Sequence, residues 1–117
     1  MRKKYAKYKV ERWKAESGDT KFVQLHHSLL NHAAFSALTP TTQLLYIYMR
    51  DYSNGKYEFT YPYRIYKNIC TKACFQTALK ALRDNGFIKI KFHGKESRTE
   101  NIYTFSDEWQ DKFKRKY

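Results

Sequence analysis

The feature that most constrains this chain is a helical segment, 71–86, that runs directly into an alternating segment, 87–92. At 100° per residue, one face of the first segment collects the apolar residues Phe75, Ala78, Leu79 and Leu82. After Gly86 the period changes to two, with apolar residues at 88, 90 and 92 and lysines between them. This change predicts an amphipathic helix, a tight turn, and a strand with one buried face and one basic face.

A second helix is predicted over 40–52, before the amphipathic segment. Thr39 can cap its first turn, Pro40 suits its first position, and Ser53-Asn54-Gly55 ends it. Its apolar residues recur at intervals of three and four, namely Leu44, Leu45, Tyr48, Met49 and Tyr52. We expect this helix to be a scaffold against which the other helices pack.

Shorter elements surround these two helices. The pattern predicts a helix over 26–34 with Leu29, Leu30 and Ala33 inward, and a short strand over 58–61. Pro62 opens a helix over 62–68 with Ile65 and Ile69 inward, and 101–105 returns as the partner strand of the hairpin. A last helix begins at Ser106, where Trp109 and Phe113, four residues apart, would hold it against the domain.

Composition indicates one basic domain with a polyanionic partner. The 117 residues include 23 Lys and Arg against 11 Asp and Glu, a formal net charge of +12, and 11 Tyr and 8 Phe that can supply a core. No apolar run approaches the roughly 20 residues that span a bilayer, and none follows the basic start as in a signal peptide. We therefore expect a cytoplasmic protein with no membrane partner.

The positive charge divides the chain into a basic N-terminal arm at 1–21, a domain at 22–113 and a basic tail at 114–117. The arm can follow a DNA groove or backbone, and its candidate contacts are Arg2, Lys3, Lys4 and Lys7. A solvated leader is the alternative for this arm.

Neither a metal site nor catalysis is expected. Cys70 and Cys74 are the only cysteines, and two thiols need further ligands at suitable spacing to hold zinc. His27 and His32 are five residues apart, so they do not share a helical face. No nucleophile with a base, paired carboxylates or phosphate-binding loop is evident, which predicts a protein without enzymatic activity or cofactor.

The order of elements predicts an α+β fold of the winged helix-turn-helix type. It would have a three-helix core, a small antiparallel sheet with a wing, and a C-terminal helix. The helix over 71–86 would be the recognition helix, and its candidate DNA contacts are Thr71, Lys72, Ala73, Gln76, Thr77 and Lys80. Gln76 suits an adenine edge, Lys72 and Lys80 suit guanine or phosphate, and the small residues suit a thymine methyl. The wing loop would add His93, Lys95 and Arg98.

Three segments, 38–48, 75–88 and 103–109, resemble small winged-helix proteins of mobile elements. These are the DNA-binding domains of plasmid and phage replication initiators and accessory proteins of conjugative transfer. The most characteristic landmark is the run Leu82-x-x-x-Gly86-Phe87-Ile88 between helix and strand. The resemblance covers about 22–113 and implies binding of double-stranded DNA near an origin or promoter. The basic arm is not part of the general pattern.

The expected function is therefore sequence-specific binding of double-stranded DNA, at an origin of transfer or replication or in transcription regulation. The protein would act as a homodimer or in several copies on repeats, with other proteins of a transfer or replication complex. Two alternatives are an RNA- or ribosome-associated basic protein and a winged-helix module that binds an acidic protein partner.

Overall fold

A computed structural model describes residues 22–94 and 100–111. Within these residues the chain is α+β, with five α-helices, three strands and one 3-10 helix. In chain order the elements are α1 (His27–Leu30), α2 (Ala33–Ser36), α3 (Pro40–Ser53), β1 (Glu58–Phe59), α4 (Tyr63–Tyr66), α5 (Lys72–Asp84), β2 (Ile88–Phe92), β3 (Ile102–Phe105) and the 3-10 helix Glu108–Asp111. None of the described helices is both long and apolar enough to cross a membrane.

The three strands form one antiparallel sheet in the order β1-β3-β2. Phe59 lies opposite Tyr103 in one pair of strands, and Ile88 lies opposite Phe105 in the other. The register of the second pair shifts between Ile90 and Phe92. The hairpin of β2 and β3 is thus present where the sequence pattern predicts it, and so is the additional short strand β1.

Helix α3 begins and ends as its sequence predicts. The backbone N–H of Thr42 donates to the side-chain oxygen of Thr39 at 3.3 Å, and Asn54 ends the helix in a left-handed conformation. Of its regularly spaced apolar residues, Leu45 and Met49 are fully buried, but Leu44, Tyr48 and Tyr52 lie on the outer side. The helix therefore buries a narrower face than its apolar composition suggests.

The prediction of a single helix over 26–34 is wrong, because the chain forms two short helices, α1 and α2, in this region. His32 adopts an extended backbone, and its Nδ1 accepts a hydrogen bond from the N–H of Ala34 at 3.0 Å, which starts α2 anew. This break exposes Leu30 and Ala33, which were expected to be inward. Ala34 and Phe35 are buried instead, and Leu29 is buried as predicted.

The turn at Gly86 joins α5, the sheet and the 3-10 helix. Gly86 has a φ of 82°, and the N–H of the buried Phe87 donates to Leu82 O at 2.9 Å, which ends α5. The backbone N–H of Trp109 donates to Gly86 O at 3.1 Å, and the Trp109 ring stacks on Phe87 with an interplanar angle of 5°. Trp109 therefore holds the C-terminal 3-10 helix against the core, in the anchoring position that the sequence predicts for it. The predicted helix from Ser106 is described only as this 3-10 helix, and Phe113 and the tail at 114–117 lie outside the described residues.

Helix α4 is shorter than the predicted 62–68. Its buried residue is Tyr66, while Ile65 and Ile69 are partly buried against the core. The ring of Tyr66 stacks on Phe75 of α5 with centroids 3.9 Å apart and an interplanar angle of 9°. This stack fixes α4 against the first turn of α5.

Candidate nucleic-acid interface

Helix α5 presents one apolar and one polar face, as its sequence predicts. The N–H of Cys74 donates to the side-chain oxygen of Thr71 at 3.1 Å, so Thr71 caps the helix. Its inward residues Phe75, Ala78, Leu79 and Leu82 are all buried, and the helix packs against α3. The apolar face thereby fixes the direction in which the polar face points.

We define the α5 face as the six exposed residues Thr71, Lys72, Ala73, Gln76, Thr77 and Lys80. These are the residues that the sequence assigned to the recognition helix, and the structure leaves all of them uncovered by other described elements. Their exposure is confirmed, and their contact with DNA stays a prediction.

The polar side chains of the α5 face differ in how they are engaged. Thr77 donates its hydroxyl to Ala73 O at 3.2 Å, and Lys80 forms an ion pair with Asp84 at 2.7 Å. The ammonium of Lys72 lies 4.8 Å from the ring centroid of Tyr63. Gln76 makes no side-chain hydrogen bond with any described residue, so both its amide donors and its acceptor are available to a ligand.

A hydrogen bond and an ion pair that the sequence does not reveal lie at the base of the loop between β2 and β3. Gly94 N–H donates to Asn101 Oδ1 at 2.8 Å, and Arg64 of α4 forms an ion pair with Glu100 at 3.3 Å. His93 is exposed and follows β2 directly, while Lys95 and Arg98 lie outside the described residues. Of the three predicted wing contacts, the structure therefore places one.

The basic face predicted for β2 is compensated by acidic residues. Lys89 pairs with Glu108 at 2.6 Å and Lys91 with Glu58 at 2.5 Å. The burial of the apolar side chains also decreases along the strand, since Ile88 is fully buried and Phe92 is 43% exposed. The prediction that Phe92 is buried is wrong, because the register shift after Ile90 alters the alternation.

The positive charge is distributed unevenly between the described residues and the rest of the chain. The described residues carry nine Lys and Arg against seven Asp and Glu, a formal net charge of +2. The remaining fourteen basic and four acidic residues belong to 1–21, 95–99 and 112–117. The candidate arm contacts Arg2, Lys3, Lys4 and Lys7 are among them and lie outside the described residues.

The described cysteines and histidines do not form a metal-binding cluster. Among the residues that the structure describes, no group of three His, Cys, Asp or Glu side chains is placed to hold a metal ion. Cys70 and Cys74 are free thiols, and burial, followed by the neighbouring Cys74 thiol, raises the pKa of Cys70 to about 11. At neutral pH the Cys70 sulfur therefore stays protonated.

Comparisons with protein-family models, with curated proteins and with solved structures found no match to this chain. The functional argument accordingly depends on the site itself.

Proposed function

We propose that this chain is a sequence-specific double-stranded DNA-binding protein of the winged helix-turn-helix type. In this proposal α3, α4 and α5 are the three-helix core, α5 is the recognition helix, and the loop between β2 and β3 is the wing. The resemblance of three segments to winged-helix proteins of mobile elements favours a role at an origin of transfer or replication, or at a promoter.

The observation that carries the proposal is the uncovered α5 face with Gln76 at its centre. A helix is about 10–12 Å across with its side chains, and the major groove is about 12 Å wide. The face is polar, its central glutamine has no hydrogen-bond partner among the described residues, and it carries little bulk around Ala73. A glutamine side chain with this freedom is suited to bidentate hydrogen bonds with the N6 and N7 atoms of adenine.

The order of elements supports the same conclusion. A helix, a strand, two helices and a hairpin follow one another, and β3 lies between β1 and β2 in the sheet. The short α4 is fixed against the first turn of α5 by the stack of Tyr66 on Phe75. This arrangement suits the helix-turn-helix mode, in which the first helix crosses the DNA backbone while the second enters the groove.

The test begins with selection of duplexes bound by the full chain from a random pool. Gln76→Ala should then weaken binding to the selected duplex by about 1–3 kcal/mol while leaving random duplex unchanged. Gln110→Ala is the matched control, since Gln110 is also exposed but belongs to the 3-10 helix and not to α5. Failure to enrich any motif, or preference for single-stranded RNA over duplex in competition, would contradict the proposal.

A further inference from the structure

Lys72 and Tyr63 form a contact between the two helices of the proposed DNA-binding unit. Tyr63 is the first residue of α4, Lys72 is the first residue of α5, and the Lys72 ammonium lies 4.8 Å from the centroid of the tyrosine ring. Both side chains are exposed, and Tyr63 retains 47% of its accessible surface. The contact directs a cation of α5 toward α4.

The ring of Tyr63 has a rigid support. Its neighbour Tyr66 meets it edge-on with centroids 5.4 Å apart, and Tyr66 is itself buried and stacked on Phe75. A cation over the face of such a ring is attracted by the ring's quadrupole, and none of its N–H donors is consumed by a conventional acceptor. The ammonium of Lys72 is thus positioned and still able to bind an anion.

We propose that Lys72 contacts a phosphate of the DNA backbone rather than a base, and that Tyr63 is the residue that positions it. The inference rests on the proposed DNA-binding function and assigns a ligand atom to one residue of that site. Because the helix before a recognition helix crosses the backbone, a side chain directed from α5 toward α4 points to phosphate. Gln76, one turn further along α5, has no such partner among the described residues and remains the base-reading residue.

The first experiment compares Lys72→Ala with the unchanged chain on selected and random duplexes over a range of salt concentrations. Loss of one phosphate contact should weaken both duplexes equally, by about fivefold at about 0.15 M salt, and reduce the slope of log K against log salt by about 0.9. Gln76→Ala, measured beside it, should weaken only the selected duplex. A loss confined to the selected duplex for Lys72→Ala would overturn the assignment, since it would make Lys72 a base contact.

The second experiment tests the positioning role through the ring of Tyr63. Tyr63→Leu should weaken both duplexes, by no more than the roughly fivefold lost with Lys72→Ala, and Tyr63→Phe should restore binding because it keeps the ring. In the Lys72→Ala background, Tyr63→Leu should have no further effect. Equal losses with and without Lys72, in variants whose thermal unfolding is unchanged, would overturn the positioning role.

A DNA-free measurement separates this inference from the proposed function. The side-chain methylene protons of Lys72 should show upfield ring-current shifts in the NMR spectrum of the free protein, lost in Tyr63→Leu and kept in Tyr63→Phe. Unshifted protons would overturn the positioning role even where duplex DNA binds. Shifted protons in a protein that binds no duplex would instead mean that the proposed function is wrong and the contact has another use.

Discussion

The residues that the structure describes, here called the body, and the remaining residues of the chain differ sharply in formal charge. The described residues 22–94 and 100–111 have a formal net charge of +2, whereas the whole chain has +12. Four of the nine basic residues in the body are in ion pairs with carboxylates, namely Arg64, Lys80, Lys89 and Lys91. Within the body, the α5 face that we propose to read bases therefore has little net charge to support it.

This difference suggests a division of work within the proposed function. Non-specific affinity for DNA arises from cations placed on phosphates, with release of counterions, and specificity arises from contacts with base edges. In this chain the cations lie mostly outside the body, and the free hydrogen-bonding side chain Gln76 lies within it. Affinity and specificity should accordingly respond to changes in different parts of the chain.

The largest effect is expected from neutralising the arm in the full chain. Replacing Arg2, Lys3, Lys4 and Lys7 with glutamine removes four cations, all of them at positions outside the described residues. If each occupies one phosphate, affinity at about 0.15 M salt should fall roughly 1,000-fold on selected and random duplexes alike, and the salt slope should decrease by about 3–4. Titrations of both duplexes across salt concentrations would measure these changes.

Lys89→Gln with Lys91→Gln is the matched control for the arm. These lysines are exposed and basic, but Glu108 and Glu58 already neutralise them, so their loss should change the salt slope little. A larger effect from this pair than from the arm would reverse the comparison and place the DNA-binding charge on the sheet.

The next effect concerns the turn that orients α5. Gly86→Ala should destabilise the fold by about 1–2 kcal/mol through its left-handed backbone. Steric crowding should add about 1–3 kcal/mol, because a Cβ there would lie 2.7 Å from Trp109 N and 2.8 Å from Glu108 C. Gly55→Ala is the control, since its φ is 84° but a Cβ would meet nothing within 4 Å. Thermal unfolding of both variants should show the larger loss for Gly86→Ala.

The Gly86→Ala variant also tests whether the cations of the arm bind DNA independently of the folded body. At a temperature where Gly86→Ala is partly unfolded, binding to the selected duplex should fall toward that of random duplex. The cations of the arm remain present in the unfolded chain, so residual binding should keep most of its salt dependence. Loss of all binding in parallel with unfolding would show that the charge acts only when attached to the folded body.

The apolar periodicity and the residues that begin and end helices predicted much of the body correctly. The 3.6-residue repeat and the Thr71 cap gave α5 and its exposed face, and Thr39, Pro40 and Asn54 gave the ends of α3. The junction of helix and strand at Gly86 also followed from the sequence, since the apolar period changes from 3.6 to two there. These features depend on residues near one another in the chain.

Features that depend on distant residues were missed or predicted wrongly. The lysines of β2 looked like a basic strand face because their partners Glu58 and Glu108 lie far away in sequence. The helix over 26–34 looked continuous because its apolar pattern does not show that the His32 ring caps Ala34 and packs against the distant Trp109, with ring centroids 5.1 Å apart. The contact of Tyr63 with the Lys72 ammonium likewise joins two different helices, which no local pattern shows.

The smallest effect distinguishes the position of α5 from the stability of the body. Thr71→Ala and Thr39→Ala each remove a helix cap and should each cost about 1 kcal/mol of unfolding free energy. Only Thr71 belongs to the first turn of α5, where its loss frees the N–H of Cys74 and loosens the residues that follow. Thr71→Ala should therefore weaken the selected duplex more than Thr39→Ala at equal stability, and it should weaken random duplex to a lesser extent, because Lys72 directly follows Thr71. Identical effects of the two variants on the selected duplex would mean that specificity depends on overall stability and not on the order of the first turn of α5.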